Sequence, residues 1–281
     1  VRIAVFGLGL LGGSVCKALR TADGNGHISA YDIDRSSLED ARRNGVIDDI
    51  IETQEAVIHC DVAVIALPVK SSISAIRAVL DSTDDSAMVV DLGSVKTGVI
   101  NGVIDHRNSS RFVPCHPMAG SERSGFAGSS PDILSGANVI ITPHIKNTPD
   151  IISRAVKFWE MTGMKVTIAD CTDHDVAVAY TSHLPHLLSA ALVCAEKKGL
   201  PSDMSNEPFR GRGFRDMTRL ASGSPAVWED ICEMNAAQIV KAIDTMTGIL
   251  CDLRRELAEN PVDGKALREF LEEAVRLKKE Y

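Results

Sequence analysis

Val1-Arg2-Ile3-Ala4-Val5-Phe6-Gly7-Leu8-Gly9-Leu10-Leu11-Gly12-Gly13-Ser14 decides the fold of this chain. A short, mainly apolar β-prone run leads straight into glycines at 7, 9 and 12, the G-x-G-x-x-G spacing that joins a parallel strand to a helix. In that setting Gly7 permits the tight turn and Gly9 keeps side chains away from an approaching pyrophosphate. Gly12 lets the helix beginning near Leu10 pack closely on the sheet, and the phosphates sit on the positive end of that helix. A second β-prone run, His27 to Tyr31, ends at Asp32, about 20 residues on, where a carboxylate accepts hydrogen bonds from a ribose 2′-hydroxyl. The candidate cofactor contacts are Gly7, Gly9, Leu10, Leu11, Gly12 and Asp32. An anionic Asp32 repels a 2′-phosphate and so selects NAD over NADP, with nearby Arg35 pulling the other way.

Outward from this unit, Asp61-Val62-Ala63-Val64-Ile65-Ala66-Leu67-Pro68 reads as a strand with both faces covered by helices. Further strands are expected at Ala87 to Asp91, Phe112 to Pro114, Val139 to Thr142 and Lys165 to Ile168, with helical stretches between several of them. This alternation predicts an α/β domain of Rossmann type over residues 1–170, a doubly wound and mostly parallel sheet. From Thr172 onward the pattern is helical, with segments around Asp173 to Lys198, Met217 to Ala221, Ala226 to Glu259 and Gly264 to Glu280, and Asp173 reads as a helix cap. Residues 171–281 are therefore expected to form an all-helical domain for substrate binding and dimerisation. Ile231, Met234, Ile239, Ile243, Met246 and Leu250 recur at helical spacing, either as ordinary core or as a face that a second copy covers, which makes a homodimer the expectation.

The 281 residues carry a net charge of −8, with no long Lys/Arg run, so the electrostatic footprint of a nucleic-acid or anionic-membrane binder is missing. Seven scattered cysteines without a C-x-x-C pair read as reduced thiols in a cytoplasm. No uncharged apolar stretch in the sequence reaches the ~18 residues expected of a membrane helix, and the start at Val1 reads as trimmed.

His116, His183, His186 and the arginines at 210, 212, 215 and 219 lie outside the glycine fingerprint and are the candidates for substrate chemistry. His116 follows a strand and precedes Pro117 and Gly120; it reads either as a structural histidine or as the base that a hydride transfer from a carbinol requires. Ser94, at the end of another strand, is placed to hydrogen-bond that histidine or the hydroxyl. In Ser182-His183-Leu184-Pro185-His186, metal ligation is disfavoured, because Pro185 intervenes and no Cys or carboxylate cluster has zinc spacing. Cys115, next to His116, points to the opposite face of its strand, against a nucleophilic role. The basic segment Phe209 to Arg219 reads either as a carboxylate anchor or as a solvated loop paired with Asp216.

Taken together, Gly7 to Ser14, Gly93-Ser94-Val95-Lys96, His116-Pro117-Met118-Ala119-Gly120, Ser182 to His186 and Gly213-Phe214-Arg215-Asp216-Met217-Thr218-Arg219 occur in family order and spacing. The chain closely resembles prephenate and arogenate dehydrogenases of tyrosine biosynthesis over essentially its whole length. The resemblance implies oxidative decarboxylation of prephenate to 4-hydroxyphenylpyruvate, or of arogenate to tyrosine, with reduction of NAD(P)⁺. By position it makes His116 the acceptor of the ring 4-hydroxyl proton, Ser94 its orienting neighbour, and Arg219 a carboxylate anchor. It places His183 near the nicotinamide end, and His186, Ser121 and Glu122 along the substrate pocket, with Trp228 contributed across a dimer. The second histidine, His186, resembles prephenate-using members. An arogenate-specific enzyme, a β-hydroxyacid-type NAD(P) dehydrogenase and a non-catalytic nucleotide sensor are the alternatives.

Overall fold

The predicted first strand forms as β1 (Arg2–Phe6) and passes through Gly7 into α1 (Leu10–Ala22). The structure is a computed structural model describing all residues except 23, 25, 54–56, 121, 122, 202, 203, 205, 206, 260, 261, 263 and 281. The chain continues through β2 (His27–Tyr31), α2 (Arg35–Arg43), β3 (Asp49–Ile50), β4 (Val62–Ile65) and α3 (Val69–Ser82), then β5 (Met88–Asp91), α4 (Thr97–Val103) and β6 (Phe112–Val113). These strands form a six-stranded sheet in the order β3-β2-β1-β4-β5-β6, with every pair parallel. The order reverses between β1 and β4, and at such a switch point ligands bind beyond the carboxyl ends of the strands.

Alternation along β1 divides the core. Val5 joins Val15, Leu19, Ile28, Phe158 and Trp159 on one face, while Ala4 joins Ile65, Ile76, Leu80, Val89 and Val99 on the other. Burial of both faces explains why β4 and β5 read as continuous apolar runs.

The later strands depart from the expectation of a single sheet. After Pro114 the chain enters β7 (Cys115–Pro117), which pairs antiparallel with β8 (Asn138–Ile141), itself parallel to β9 (Lys165–Ile168), in a separate three-stranded sheet. Between β8 and β9 runs α5 (Pro149–Met161), capped by the Thr148 hydroxyl, which accepts from the Ile151 N–H at 3.4 Å.

The helical part begins with α6 (Cys171–Val178), a π-helical turn (Ala179–His183) and α7 (Leu184–Gly199). The cap of α6 is Asp170, not Asp173, because the Asp170 carboxylate accepts from the N–H groups of Thr172 and Asp173. In the π turn the Leu184 N–H donates to the Ala179 carbonyl, five residues back, and Pro185 has no N–H to offer the Thr181 carbonyl. Cys171–Gly199 is thus one helical stretch of 29 residues that contains an 18-residue window with a mean hydropathy of 1.3, long and apolar enough by composition to cross a bilayer. This corrects the expectation that no such segment exists. Its buried His174, Asp175, His183 and His186 belong to the site described below.

Then follow α8 (Arg212–Thr218), a 3-10 turn (Arg219–Ser222), α9 (Pro225–Met234), α10 (Ala236–Ala258) and α11 (Gly264–Lys278). The single helix expected from Ala226 to Glu259 is broken at Asn235, where φ is −117° and ψ 22°. By contacts the chain divides into two compact units, Val1–Ala236 and Ala237–Tyr281. Ile231 and Met234, expected on a partner-facing stripe, pack instead in the core of the first unit. In the second unit Val240, Ile243, Ile249, Leu250 and Leu257 of α10 are exposed, as are Phe270, Leu271, Val275 and Leu277 of α11.

Candidate active site

The glycine loop has the geometry that its spacing demands. Gly7 adopts φ of +96°, and its N–H donates to the Tyr31 carbonyl at 2.8 Å. A Cβ at Gly7 would lie 2.3 Å from the Ala66 carbonyl oxygen, and one at Gly12 would lie 1.9 Å from that of Gly7. At Gly9 a Cβ would meet nothing within 4 Å, so open space lies over the loop at the start of α1, beside Leu10 and Leu11. The Asp32 carboxylate accepts from the Leu8 N–H at 2.5 Å and from the Asp34 N–H at 2.8 Å, which fixes it at the mouth of the loop. Arg35 pairs with Glu39 and Glu52, and those hydrogen bonds, Glu52's first, raise its pKa. These residues fit a dinucleotide: Asp32 would hold ribose hydroxyls and the open glycine loop would admit the pyrophosphate.

His116 is carried by β7 and held to the carboxyl end of β5 by a buried ion pair. Lys96 Nζ donates to Asp91 Oδ2 at 2.6 Å and to the Cys115 carbonyl at 2.7 Å, while Asp91 Oδ1 accepts from the Cys115 N–H at 3.0 Å. Both polar groups of the Cys115 backbone are thereby bound, which sets the direction of the next residue. At Gly93 a Cβ would stand 2.9 Å from Asp91 Oδ2, so this turn has little room for a side chain.

The buried imidazole of His116 meets that of His174, with Nδ1 and Nε2 2.8 Å apart. His174 Nδ1 lies 2.8 Å from Asp175 Oδ1, and the same carboxylate accepts from the Lys96 N–H at 2.9 Å and the Thr97 N–H at 2.8 Å. Burial opposes the ionised form of Asp175, yet the His174 and backbone hydrogen bonds win and lower its pKa. Burial, reinforced by Lys96, His174 and His183, holds the pKa of His116 well below the ordinary imidazole value, so it is neutral and able to accept a proton.

The π turn delivers His183 to the same interior. The Asn235 amide donates to His183 Nδ1 at 3.2 Å and to the Asp175 carbonyl at 2.8 Å, which leaves the His183 proton on Nε2. That Nε2 is buried and has no partner among the described residues. Burial lowers the His183 pKa to about 4. One turn on, His186 stacks on Trp228 with ring centroids 3.6 Å apart and planes 13° apart. A Cβ at Gly223 would lie 2.7 Å from His186 Cε1 and 2.8 Å from Trp228 Nε1. The resemblance puts Trp228 across a dimer, whereas here its indole stacks on the histidine of its own chain.

Ser94 is half-buried at the carboxyl end of β5, and among the described residues no hydrogen bond joins it to His116, whose Nδ1 is taken by His174. Arg219 is exposed and opens the 3-10 turn that packs on α7. Arg210 forks onto Glu196 and Arg212 pairs with Asp216, as in the solvated-loop reading of this segment. Cys115 is inert, its thiol pushed up to about 12 by burial. Ser121 and Glu122 lie outside the described residues. His174, Asp175, Asn235, Asp91 and Lys96 had no part in the chemistry read from the sequence. They are distant in the chain and become meaningful only when β7, α6 and the end of α9 converge. Asp91 did close an expected strand, and Lys96 did lie in one of the motifs that carry the resemblance.

A parallel sheet with a phosphate-admitting glycine loop, an acid at the end of β2 and a neutral buried histidine at the same sheet edge define a nucleotide-dependent dehydrogenase. The family follows from direct comparison. Residues 15–168 match the prephenate dehydrogenase nucleotide-binding domain and residues 170–273 the prephenate dehydrogenase dimerization domain, so the chain belongs to the prephenate dehydrogenase family. It is 30% identical over 277 residues to a cyclohexadienyl dehydrogenase of Zymomonas mobilis, covering 97% of this chain and 93% of the relative. It is 31% identical over 246 residues to a prephenate dehydrogenase of Bacillus subtilis, covering 86% and 66% respectively. The crystal structure of Aquifex aeolicus prephenate dehydrogenase with hydroxyphenyl propionate and NAD⁺ superposes with a TM-score of 0.92 at 29% identity, over 99% of this chain and 97% of that one.

Proposed function

We propose that this chain oxidatively decarboxylates prephenate to 4-hydroxyphenylpyruvate with NAD⁺ as hydride acceptor. The observation that carries the reading is the neutral, buried His116, fixed through Cys115 to the sheet edge that bears the glycine loop. Bound NAD⁺ supplies a nicotinamide that takes hydride from the ring carbon bearing the hydroxyl. His116 takes the hydroxyl proton at Nε2, the nitrogen that His174 leaves to the substrate. Ser94 orients the hydroxyl, and Arg219 binds a carboxylate of the dianion. His183 offers its Nε2–H at the nicotinamide end. The His186–Trp228 stack lines the part of the pocket that receives the pyruvyl group, and the resemblance assigns Ser121 and Glu122 to substrate binding. Loss of CO₂ gains aromaticity, so the protein's work is to orient three groups and hold one proton.

Asp32 binds the ribose, and Arg35, engaged by two glutamates, is withdrawn from a 2′-phosphate, which favours NAD over NADP. We assign residues 1–170 to the nucleotide and 171–281 to substrate binding and dimerisation. The exposed apolar residues of α10 and α11 support a homodimer. All seven cysteines are free thiols, in keeping with a cytoplasmic enzyme. The test is NADH or NADPH formation with prephenate and arogenate, each with NAD⁺ and NADP⁺. Prephenate with NAD⁺ is the expected best pair; arogenate as the better substrate would overturn the substrate assignment.

A further inference from the structure

Asp175 is ionised and can only accept, so His174 Nδ1 carries the proton of their 2.8 Å hydrogen bond. In a neutral ring that single proton leaves His174 Nε2 bare. The 2.8 Å contact from His116 Nδ1 to that atom is a hydrogen bond only if His116 is the donor. A neutral imidazole has one proton, so with Nδ1 protonated its Nε2 keeps a lone pair. The direction of every bond in the row is set from the carboxylate outward, and the carboxylate is anchored by the Lys96 and Thr97 N–H groups at the start of α4.

Building on the proposed function, we propose that His174 and Asp175 are positioning residues for His116, fixing it as the Nδ1–H tautomer and receiving its Nδ1 proton when Nε2 takes the substrate's. The proton count closes. The ring hydroxyl loses its proton to His116 Nε2, the Nδ1 proton passes to His174 Nε2, and the positive charge comes to rest on His174 against the Asp175 carboxylate. The charge therefore lies next to an anion instead of beside Lys96 and His183, which face His116 and disfavour charge there. When CO₂ leaves, the ring oxygen takes a proton back from His116 Nε2 and the proton on His174 Nε2 returns to His116 Nδ1, so the row ends as it began. His174 is entirely shielded from water, so solvent cannot substitute for it.

Two measurements test this. In ¹⁵N-resolved imidazole spectra of the full chain, His116 and His174 are both expected with the proton on Nδ1 at neutral pH. A His116 protonated on Nε2 overturns the proposal whatever the substrate proves to be. In kinetics, His174→Leu is expected to lower kcat by about a hundredfold or more, while KM and the NAD⁺ Kd stay within about threefold. His174→Gln, whose amide oxygen still accepts from Nδ1–H, should recover about tenfold of the loss. A kcat for His174→Leu close to that of the parent, or equal losses in Leu and Gln variants of equal thermal stability, would overturn it. If the parent turns over neither prephenate nor arogenate, the functional reading fails, and the tautomer spectra still decide this one.

Discussion

Lys96 Nζ lies 2.6 Å from Asp91 Oδ2, and both side chains are completely withdrawn from solvent. The pair joins the first sheet to the strand that carries His116, and its value lies in that placement, because a buried ion pair gives little net stability over apolar groups of the same volume. Removing one member strands the other. Lys96→Met is expected to lose about 3–5 kcal/mol in urea unfolding, and adding Asp91→Asn to it should return part of that loss by removing the stranded charge. Unaltered stability of Lys96→Met would show that the pair is dispensable.

With Arg35 engaged by its glutamates, Asp32 is expected to control cofactor choice by charge alone. Asp32→Ala is expected to weaken NAD⁺ and strengthen NADP⁺ in calorimetric titration, with the ratio of the two affinities moving by about tenfold or more. An unchanged ratio would transfer cofactor selection to another residue.

Stability should fall on mild acidification. The folded-state pKa values of His116, His144, His183 and His186 are all lowered, burial being the leading cause for each. A group of this kind contributes fully above its unfolded pKa, near 6.5, and loses that contribution as pH falls towards the folded value, about 4 for His183. Thermal unfolding from pH 7 to pH 4 is the measurement. A Tm that holds constant across that interval would mean that these imidazoles titrate normally.

The stack of His186 on Trp228 leaves no room at Gly223. Gly223→Ala is expected to part the rings, raising the KM for prephenate while leaving the NAD⁺ Kd unaltered, at a stability cost of roughly 1–3 kcal/mol from overpacking. A variant with parental KM would separate the stack from substrate binding.

Ile243 and Leu250 are exposed and lie two turns apart on α10. Glutamate at both positions is expected to reduce the proposed homodimer to monomers in light scattering. A dimer that survives would place the interface on other residues of the helical part.

The first sheet was legible because β1, β2, β4 and β5 are short apolar runs buried on both faces, and because a glycine that cannot bear a Cβ marks its own turn. The small second sheet was not, since β7 is only Cys115–Pro117, β9 is half polar and largely exposed, and pairing alone shows that they join β8 apart from the first sheet. Among the candidate site residues, His116, Ser94, His183 of the π turn and His186 of α7 stood in recognisable motifs. His174 did not. It is an isolated histidine inside a helix, and its chemistry resides in a 2.8 Å contact across 58 residues of chain. Asn235 was hidden for a similar reason, lying within an expected continuous helix that breaks there.

The π turn at Ala179–His183 has an angular consequence. At about 100° per residue an uninterrupted α-helix would place His183 roughly 180° around the axis from His174. A π turn takes up about one residue more per revolution, which retards the phase by about 100°. His174, Asp175, His183 and His186 then fall within one quadrant or little more of the circumference. Deleting a single residue from the turn would keep the composition and the helix, yet it would rotate one part of the cleft's lining out of phase with the other. The irregularity therefore acts as a gear offset that lets a single rod present two sets of side chains to one cleft.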